Sequence, residues 1–265
     1  MNYRLKLRLL ELLPASLRTR LLDRRHRSEV EFSGEAELAH LGELVRDGDV
    51  AIDVGCNLGA YARELSRLAS RVIAFEPNPH LARFVRSLDL PGVEVREIAL
   101  GNRQGRGQLA VPQVEGGGHG CASLRESMGN EPLDETLAVD IATLDSEAPA
   151  KVDFVKIDVE GFEESVLAGA MNLLENAQPI LLVEIEERHN SGGLERICDR
   201  LAGLGYRTYF LRLGKWQPIA QFEAKRDQDT AMLARNMRDG TPRRLIDYIN
   251  NFLFVPAGRT IAGIA

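Results

Sequence analysis

At 265 residues, with 44% hydrophobic and 27% charged side chains, the chain is long enough for one α/β domain with a substantial core and too ordinary in composition for a disordered one. Its net charge of −6 gives no overall case for nucleic-acid binding, and no apolar run reaches the roughly 18 residues that a membrane span needs. Cys56, Cys121 and Cys198 cannot all pair and lack metal-ligand spacing, so free thiols in a cytoplasmic protein are expected, and no signal peptide is visible.

Residues 1–47 are expected to form a helical cap ahead of a main domain at 48–265. Within the cap, residues 1–28 carry eight Lys or Arg against two acids, and Leu5, Leu9, Leu12, Leu13, Leu17 and Leu21 recur at helical spacing broken by Pro14. Two short amphipathic helices follow from that pattern. They read either as a packed cap with its arginines in water or as a basic arm in peripheral contact with an anionic membrane or a lipid-linked substrate. Residues 33–45 read as a helix capped by Ser33, with 46–49 as the turn into the first strand and His40 as a surface or packing histidine.

Residues 50–54 are an apolar run around Asp53, the pattern of a buried parallel strand, and Gly55-x-x-x-Gly59 turns it into a helix from about Ala60. Gly55 is expected to leave no Cβ between main chain and ligand, and Gly59 to let the helix pack close to the strand. The helix N-terminus then offers unpaired N–H groups to a polar or anionic ligand end. A second apolar run, 71–75, ends in Glu76 and is stopped by Pro77. That carboxylate, 17 residues after Gly59, stands where nucleotide-binding α/β folds hold the two ribose hydroxyls.

Residues 80–88 read as helix and 93–100 as one strand. Ligands of doubly wound sheets bind at the strand C-termini where strand order reverses, so Asp53, Gly55, Glu76, Ala99 and Leu100 are expected to converge on one crevice. Residues 101–107 look like a hairpin turn and 108–112 a strand. The glycine-rich stretch 115–124 reads either as a flap over the site or as a surface loop, with His119 as its one obvious proton carrier. Residues 136–145 read as a strand and a helical turn. Then 151–158 form a buried strand with Lys156 inside the apolar run, where an ammonium needs an acid partner, and Asp158 at its tip. Glu163 and Glu164 read as helix N-terminal acids. The strand in 179–190 is expected to set Glu184 and Glu186 on one face and to end in His189. A helix at 193–204, a strand at 206–211, a polar helical cover at 225–247 and an apolar strand at 252–255 complete the chain.

Asp53-x-Gly55-x-Asn57-x-Gly59, Phe75-Glu76-Pro77-Asn78-Pro79, the core Lys156-Ile157-Asp158-Val159-Glu160-Gly161 and a late Asn251-Phe252-Leu253-Phe254-Val255-Pro256 together resemble the FkbM family of S-adenosyl-L-methionine-dependent methyltransferases. The resemblance covers about residues 48–256. It implies a doubly wound, mostly parallel, seven-stranded Rossmann-like α/β sheet that ends in an antiparallel hairpin at one edge. It further implies a cofactor site of Asp53, Gly55, Asn57, Gly59, Glu76 and Asp158, with the main chain near Ala99 and Leu100 walling the adenine and Ser123 as a further contact. A small-molecule or glycan acceptor, a sugar or polyketide-type natural product, goes with it.

Methyl transfer to a hydroxyl needs in-line alignment and a general base. His189 is the first candidate, followed by Asp158 and Lys156. Alternatively, Asp158 with Glu160, Glu184 or Glu186 holds Mg²⁺ against two substrate oxygens. Two other functions compete. A nicotinamide-dependent oxidoreductase would use the same acid, but it expects Gly-x-Gly-x-x-Gly, and Asn57 occupies the second glycine position. A non-catalytic S-adenosylmethionine-binding scaffold shares every motif. No nucleic-acid partner is expected, since the chain lacks an Asn-Pro-Pro-aromatic base clamp.

Overall fold

The computed structural model describes residues 9–10, 12–14, 17, 21, 36–112, 123–125, 133–232, 248–261 and 264. A 3₁₀ turn, Ala36–His40, runs into a one-turn helix α1 (Leu41–Leu44). The strands in chain order are β1 (Val50–Val54), β2 (Arg71–Phe75), β3 (Val93–Arg96), β4 (Ala99–Leu100), β5 (Gly105–Pro112), β6 (Ser123–Arg125), β7 (Leu133–Ala142), β8 (Phe154–Ile157), β9 (Ile180–Glu184), β10 (Tyr206–Arg212), β11 (Lys215–Pro218) and β12 (Asn251–Pro256). Between them lie α2 (Ala60–Leu68), α3 (Pro79–Arg86), α4 (Leu144–Glu147), α5 (Glu163–Ala168), α6 (Met171–Asn176), α7 (Gly193–Gly203) and α8 (Ala224–Asp227).

The main sheet has the order β11-β10-β12-β9-β8-β1-β2-β3. Strands β3, β2, β1, β8 and β9 are parallel, and β12 runs antiparallel between β9 and β10. The seven expected strands are present. An eighth, β11, extends the edge through the turn Leu213-Gly214, whose φ angles of 49° and 73° suit a two-residue hairpin. From β1 the chain steps outward to β3 and returns on the other side of β1 as β8, so strand order reverses between β1 and β8.

Strand alternation divides the core. Ile52, Val54, Val155 and Ile157 face α5, α6 and α7, whereas Ala51, Val72 and Phe154 face α1 and α2. Asp53 and Lys156, paired across β1 and β8, fall by parity on the second face. Leu38, Leu41, Leu44 and Val45 pack in the same cluster as Tyr61, Leu65 and Trp216, and Trp216 Nε1 donates to Glu43 Oε2 at 3.1 Å. His40 meets the Trp216 ring edge-on, as a packing histidine.

Three expectations need correction. Residues 93–100 are two strands, because the consecutive charges Arg96 and Glu97 break the period of two. Ala99 and Leu100 leave the main sheet and join a second one, β4-β7-β5-β6. Ser123 and Leu124, expected at the end of the loop 115–124, form β6 with Arg125 in that second sheet. Strand β9 stops at Glu184, so Glu186 lies beyond the ladder and does not share a strand face with it. His119, Ser33, and most of the cap (1–28) and the polar cover (225–247) lie outside the described residues. Among those described, no helix is long and apolar enough to cross a membrane.

Candidate active site

The crevice opens at the C-terminal ends of β1, β2 and β8, at the point of strand reversal. It spans about 600 Å³, open solvent at its mouth included, and its floor and sides include Gly55, Asn57, Glu76, Asp158 and Glu160, with an apolar slot of Leu81, Ile98, Ala99, Leu100 and Leu109. The second sheet supplies the slot's far side through β4 and β5.

The turn after β1 is fixed by main-chain bonds: Gly55 N and Cys56 N both donate to Phe75 O, at 2.9 and 3.0 Å. Gly55 has φ 79°, and a Cβ there would lie 1.9 Å from the main-chain oxygen of Asp158. The neighbouring strand end alone demands the glycine, and Gly55 also lines the crevice where the ligand was expected. Gly59, also at φ 79°, faces Val85 and Leu88 at 3.3–3.6 Å, so it lets α2 start close to α3. Asn57, at φ 50°, takes the left-handed conformation that Asn tolerates better than most residues.

Glu76 is 5% exposed, and its two carboxylate oxygens accept the amides of Asn57 and Asn78 at 2.9 Å each. Burial pushes its carboxyl up to about 7 against the lowering effect of those two donors. Asn78 in turn caps α3, its Oδ1 accepting from His80 N at 3.0 Å. The tip of β2 is thereby held by side chain and main chain together.

Asp53 and Lys156 are 1% and 0% exposed and sit beneath the crevice, not on its wall. Lys156 Nζ donates to Ile157 O at 3.2 Å, lies 3.9 Å from Asp158 Oδ2 and rests over the Tyr61 ring at 5.0 Å. A fully buried ammonium so enclosed cannot touch an acceptor, which corrects its candidacy as a catalytic base; it is a counter-ion under the floor. Burial pushes Asp53 up to about 7, with Lys156 pulling it down and Asp158 pushing it up, and its Oδ2 has no hydrogen-bond partner.

His189 is not on the crevice wall either. Its Nε2 stands 3.4 Å from Glu160 Oε2, and Glu160 lines the crevice. Of the alternative Mg²⁺ set, Asp158 and Glu160 line the crevice and the other two are engaged elsewhere. Glu184 accepts from Asn250 Nδ2 at 2.7 Å, and Glu186 accepts from Arg188 Nη2 at 2.9 Å and from the Tyr248 hydroxyl. Both are committed away from Asp158, and among the described residues no three His, Cys, Asp or Glu side chains gather as metal ligands. Ser123 pairs with Ala110 on β5, next to Leu109 of the slot. Sequence reasoning passed over Leu81, Ile98 and Leu109, whose only signal was apolarity, and over the Glu160–His189 contact, which joins residues 29 positions apart in the chain.

The family model described as "Methyltransferase FkbM domain" matches residues 53–208, more than half of the chain. The chain belongs to the FkbM family. Hexuronic acid methyltransferase AglP of Haloferax volcanii is 31% identical over 160 residues, covering 58% of this chain and 64% of that one. The chain therefore spans less than two thirds of that relative's length. Among solved structures, the FkbM methyltransferase of Methylobacillus flagellatus is similar with a TM-score of 0.49 at 15% identity, over 78% of this chain and 43% of that one. A Streptococcus mutans protein in complex with S-adenosylhomocysteine is similar with a TM-score of 0.45 at 11% identity, over 83% and 96%.

Proposed function

We propose that this FkbM-family chain is an S-adenosyl-L-methionine-dependent O-methyltransferase acting on a hydroxyl of a sugar, glycan or natural-product acceptor. The observation that carries the reading is Glu76, a buried carboxylate fixed by two main-chain amides at the mouth of the strand-reversal crevice. The residues present fit the cofactor. Glu76 has lone pairs left for two ribose hydroxyls, the slot of Leu81, Ile98, Ala99, Leu100 and Leu109 suits an adenine ring, and Asp158 and Glu160 balance a cation. Gly55, Asn57 and Gly59 shape the turn, Asp53 supports it from below, and Ser123 is a further contact from the second sheet. When bound, the cofactor supplies a methyl group on a sulfonium cation, ready for in-line displacement.

The name of the Haloferax volcanii relative makes hexuronic acid glycans the first acceptors to try. Calorimetric titration with S-adenosylhomocysteine and, separately, NADH tests the reading. Binding of the first alone, lost in Glu76→Ala, is expected. Binding of NADH instead would turn the reading to an oxidoreductase, and cofactor binding without turnover on any acceptor would turn it to a scaffold. EDTA is expected to leave turnover undiminished; loss of turnover would instead favour Asp158 and Glu160 as Mg²⁺ ligands.

Peripheral contact of residues 1–28 with an anionic membrane from the cytoplasmic side is part of the same proposal. Leu9, Leu12, Leu17 and Leu21 are exposed, Leu12 by 80%, in a stretch of eight basic residues and two acids. Flotation with anionic liposomes is expected to carry the full chain and not a chain beginning at residue 29.

A further inference from the structure

Glu160 lines the crevice and His189 stands behind it, an order that the sequence does not reveal. Glu160 follows the tip of β8 with φ 51°, and Gly161 follows it with φ 95°. A left-handed glutamate is uncommon and costs energy, and such residues cluster where a side chain must be aimed. Here the carboxylate is on the crevice wall, Gly161 takes the left-handed turn, and the His189 segment packs behind it, 3.4 Å from where a Cβ at Gly161 would lie. The Glu160 side chain is 16% exposed and that of His189 31%, with 3.4 Å between Oε2 and Nε2. From crevice to solvent the order is carboxylate, then imidazole.

We propose that Glu160 takes the proton from the acceptor hydroxyl and that His189, behind it, passes that proton to water. This rests on the methyltransferase reading above. The acceptor O–H bond breaks and its proton goes to a Glu160 oxygen. The oxygen's electron pair forms the new O–CH₃ bond while the S–CH₃ pair stays on sulfur, leaving a neutral thioether. The proton then moves from Glu160 to His189 Nε2 and out. His189 thus has a part in the transfer, but a step further from the acceptor than a lone histidine base would be.

The charges around Glu160 suit that work. Burial is the largest influence, Asp158, Glu186 and Glu163 push its carboxyl up further, and Arg188 pulls it down, leaving it at about 8. A group that must take up and release a proton at each turnover works best near the ambient pH. Asp158 also lines the crevice, but its charge partner is the fully buried Lys156 at 3.9 Å, so it is placed as a counter-ion and not beside a second proton carrier.

The test uses the full chain and two probes: S-adenosylhomocysteine, a neutral thioether, and sinefungin, which carries an amine near the place of the transferable methyl. At pH 9, where the Glu160 carboxyl is ionised, S-adenosylhomocysteine affinity is expected to stay within about threefold in Glu160→Gln, while the preference for sinefungin falls about tenfold through loss of one nearby charge. His189→Gln is expected to keep that preference within about threefold. In ¹³C-histidine spectra, the imidazole assigned through His189→Gln is expected to bind its proton about tenfold more weakly in Glu160→Gln. A larger loss of sinefungin preference in His189→Gln than in Glu160→Gln would overturn the order of the relay. An unmoved His189 titration, or loss of S-adenosylhomocysteine binding in Glu160→Gln, would overturn the relay itself. Failure of the unsubstituted protein to bind S-adenosylhomocysteine would instead remove the methyltransferase reading, and the relay with it.

Discussion

Strand β8 is bracketed by two aspartates that the fold treats in opposite ways. At its N-terminal end Asp153 accepts from Val50 N at 3.0 Å and sits 3.3 Å from Lys151 Nζ and 3.4 Å from Arg259 Nη2. Burial pushes its carboxyl up, but those donors pull harder and hold it below the usual carboxylate range. At the C-terminal end Asp158 shares one buried lysine with Asp53, and around them Asp53, Glu76 and Glu160 are all pushed up to about 7 or 8, burial first among the causes. The groove at the lower end, about 920 Å³, is lined by both signs of charge, including Arg46, Arg259, Asp49 and Asp153. The fold completes its acids at one end and leaves them incomplete at the other. Such under-compensated, buried acids in a cleft are what a ligand with hydroxyls and a cation would complete.

The glycines give the largest expected break in this comparison. Gly55→Ala forces a Cβ to 1.9 Å from the Asp158 oxygen, main chain against main chain, whereas Gly48 at the lower end has φ 90° and open space around it. Gly48→Ala should cost only the left-handed penalty of about 1–2 kcal/mol. Gly55→Ala should cost more than about 4 kcal/mol, a drop in Tm of about 10 °C or more, measured by thermal unfolding. Equal tolerance of both would show that the approach of β1 to β8 is not what fixes the crevice.

Next in size is a contrast in binding. Glu76→Ala should weaken S-adenosylhomocysteine binding by about a hundredfold or more, roughly two charge-assisted hydrogen bonds, and should also cost about 1–3 kcal/mol of stability, because Asn57 N and Asn78 N lose their acceptor. Asp153→Ala should leave binding within about threefold and destabilise the fold by about 1–3 kcal/mol, because Val50 N loses its acceptor. Calorimetry and chemical denaturation on both variants separate the two ends.

The ends should also respond to pH with opposite sign. Glu76 is raised in the folded state, so between about pH 4.5 and 7 the folded chain holds a proton that the unfolded chain has released, and stability falls as pH rises through that window. Asp153 is lowered, so its contribution is complete above the usual carboxylate range and is lost as pH falls through its folded value. Glu76→Gln should flatten the decline towards pH 7 by about 1–3 kcal/mol, since each tenfold difference in proton affinity between the folded and unfolded chain is worth about 1.4 kcal/mol. Asp153→Asn should flatten the acid limb. Denaturation curves at pH 3, 5 and 7 decide it, and a Glu76→Gln protein with an unchanged slope would show that its carboxyl is already ionised.

How much of this was legible depends on the range of the interactions involved. The path from β1 through the glycine turn and α2 to Glu76 is written locally, in the period of two, the helix start at Ala60 and the stop at Pro77, and the described residues follow it. The family motifs carried the sheet and its antiparallel hairpin. What misled was set by side-chain packing and pairing that no period in the sequence records. Gly55 is glycine because of Asp158, over a hundred residues on; Lys156 is out of reach because Tyr61 and Ile157 close over it; Glu186 left its strand for Arg188 and Tyr248. Strand β6 and strand β11 were missed for a different reason: three or four residues are too few to show a period.

The smallest expected effect probes whether the lower end is over-provided. Arg259 is 36% exposed in its side chain, and its contacts with Asp153 are long, at 3.4 Å to Oδ1 and 3.5 Å to the main-chain oxygen. Without it, Asp153 keeps Val50 N and Lys151. Arg259→Gln should therefore cost less than about 1 kcal/mol, and less still at high salt, because a partly exposed pair is screened. It should leave S-adenosylhomocysteine affinity unchanged. A fall of more than threefold in that affinity would mean that charge at the foot of β8 is felt at its tip. The two ends of the strand would then form one electrostatic unit, and the division between a settled end and an open one would fail.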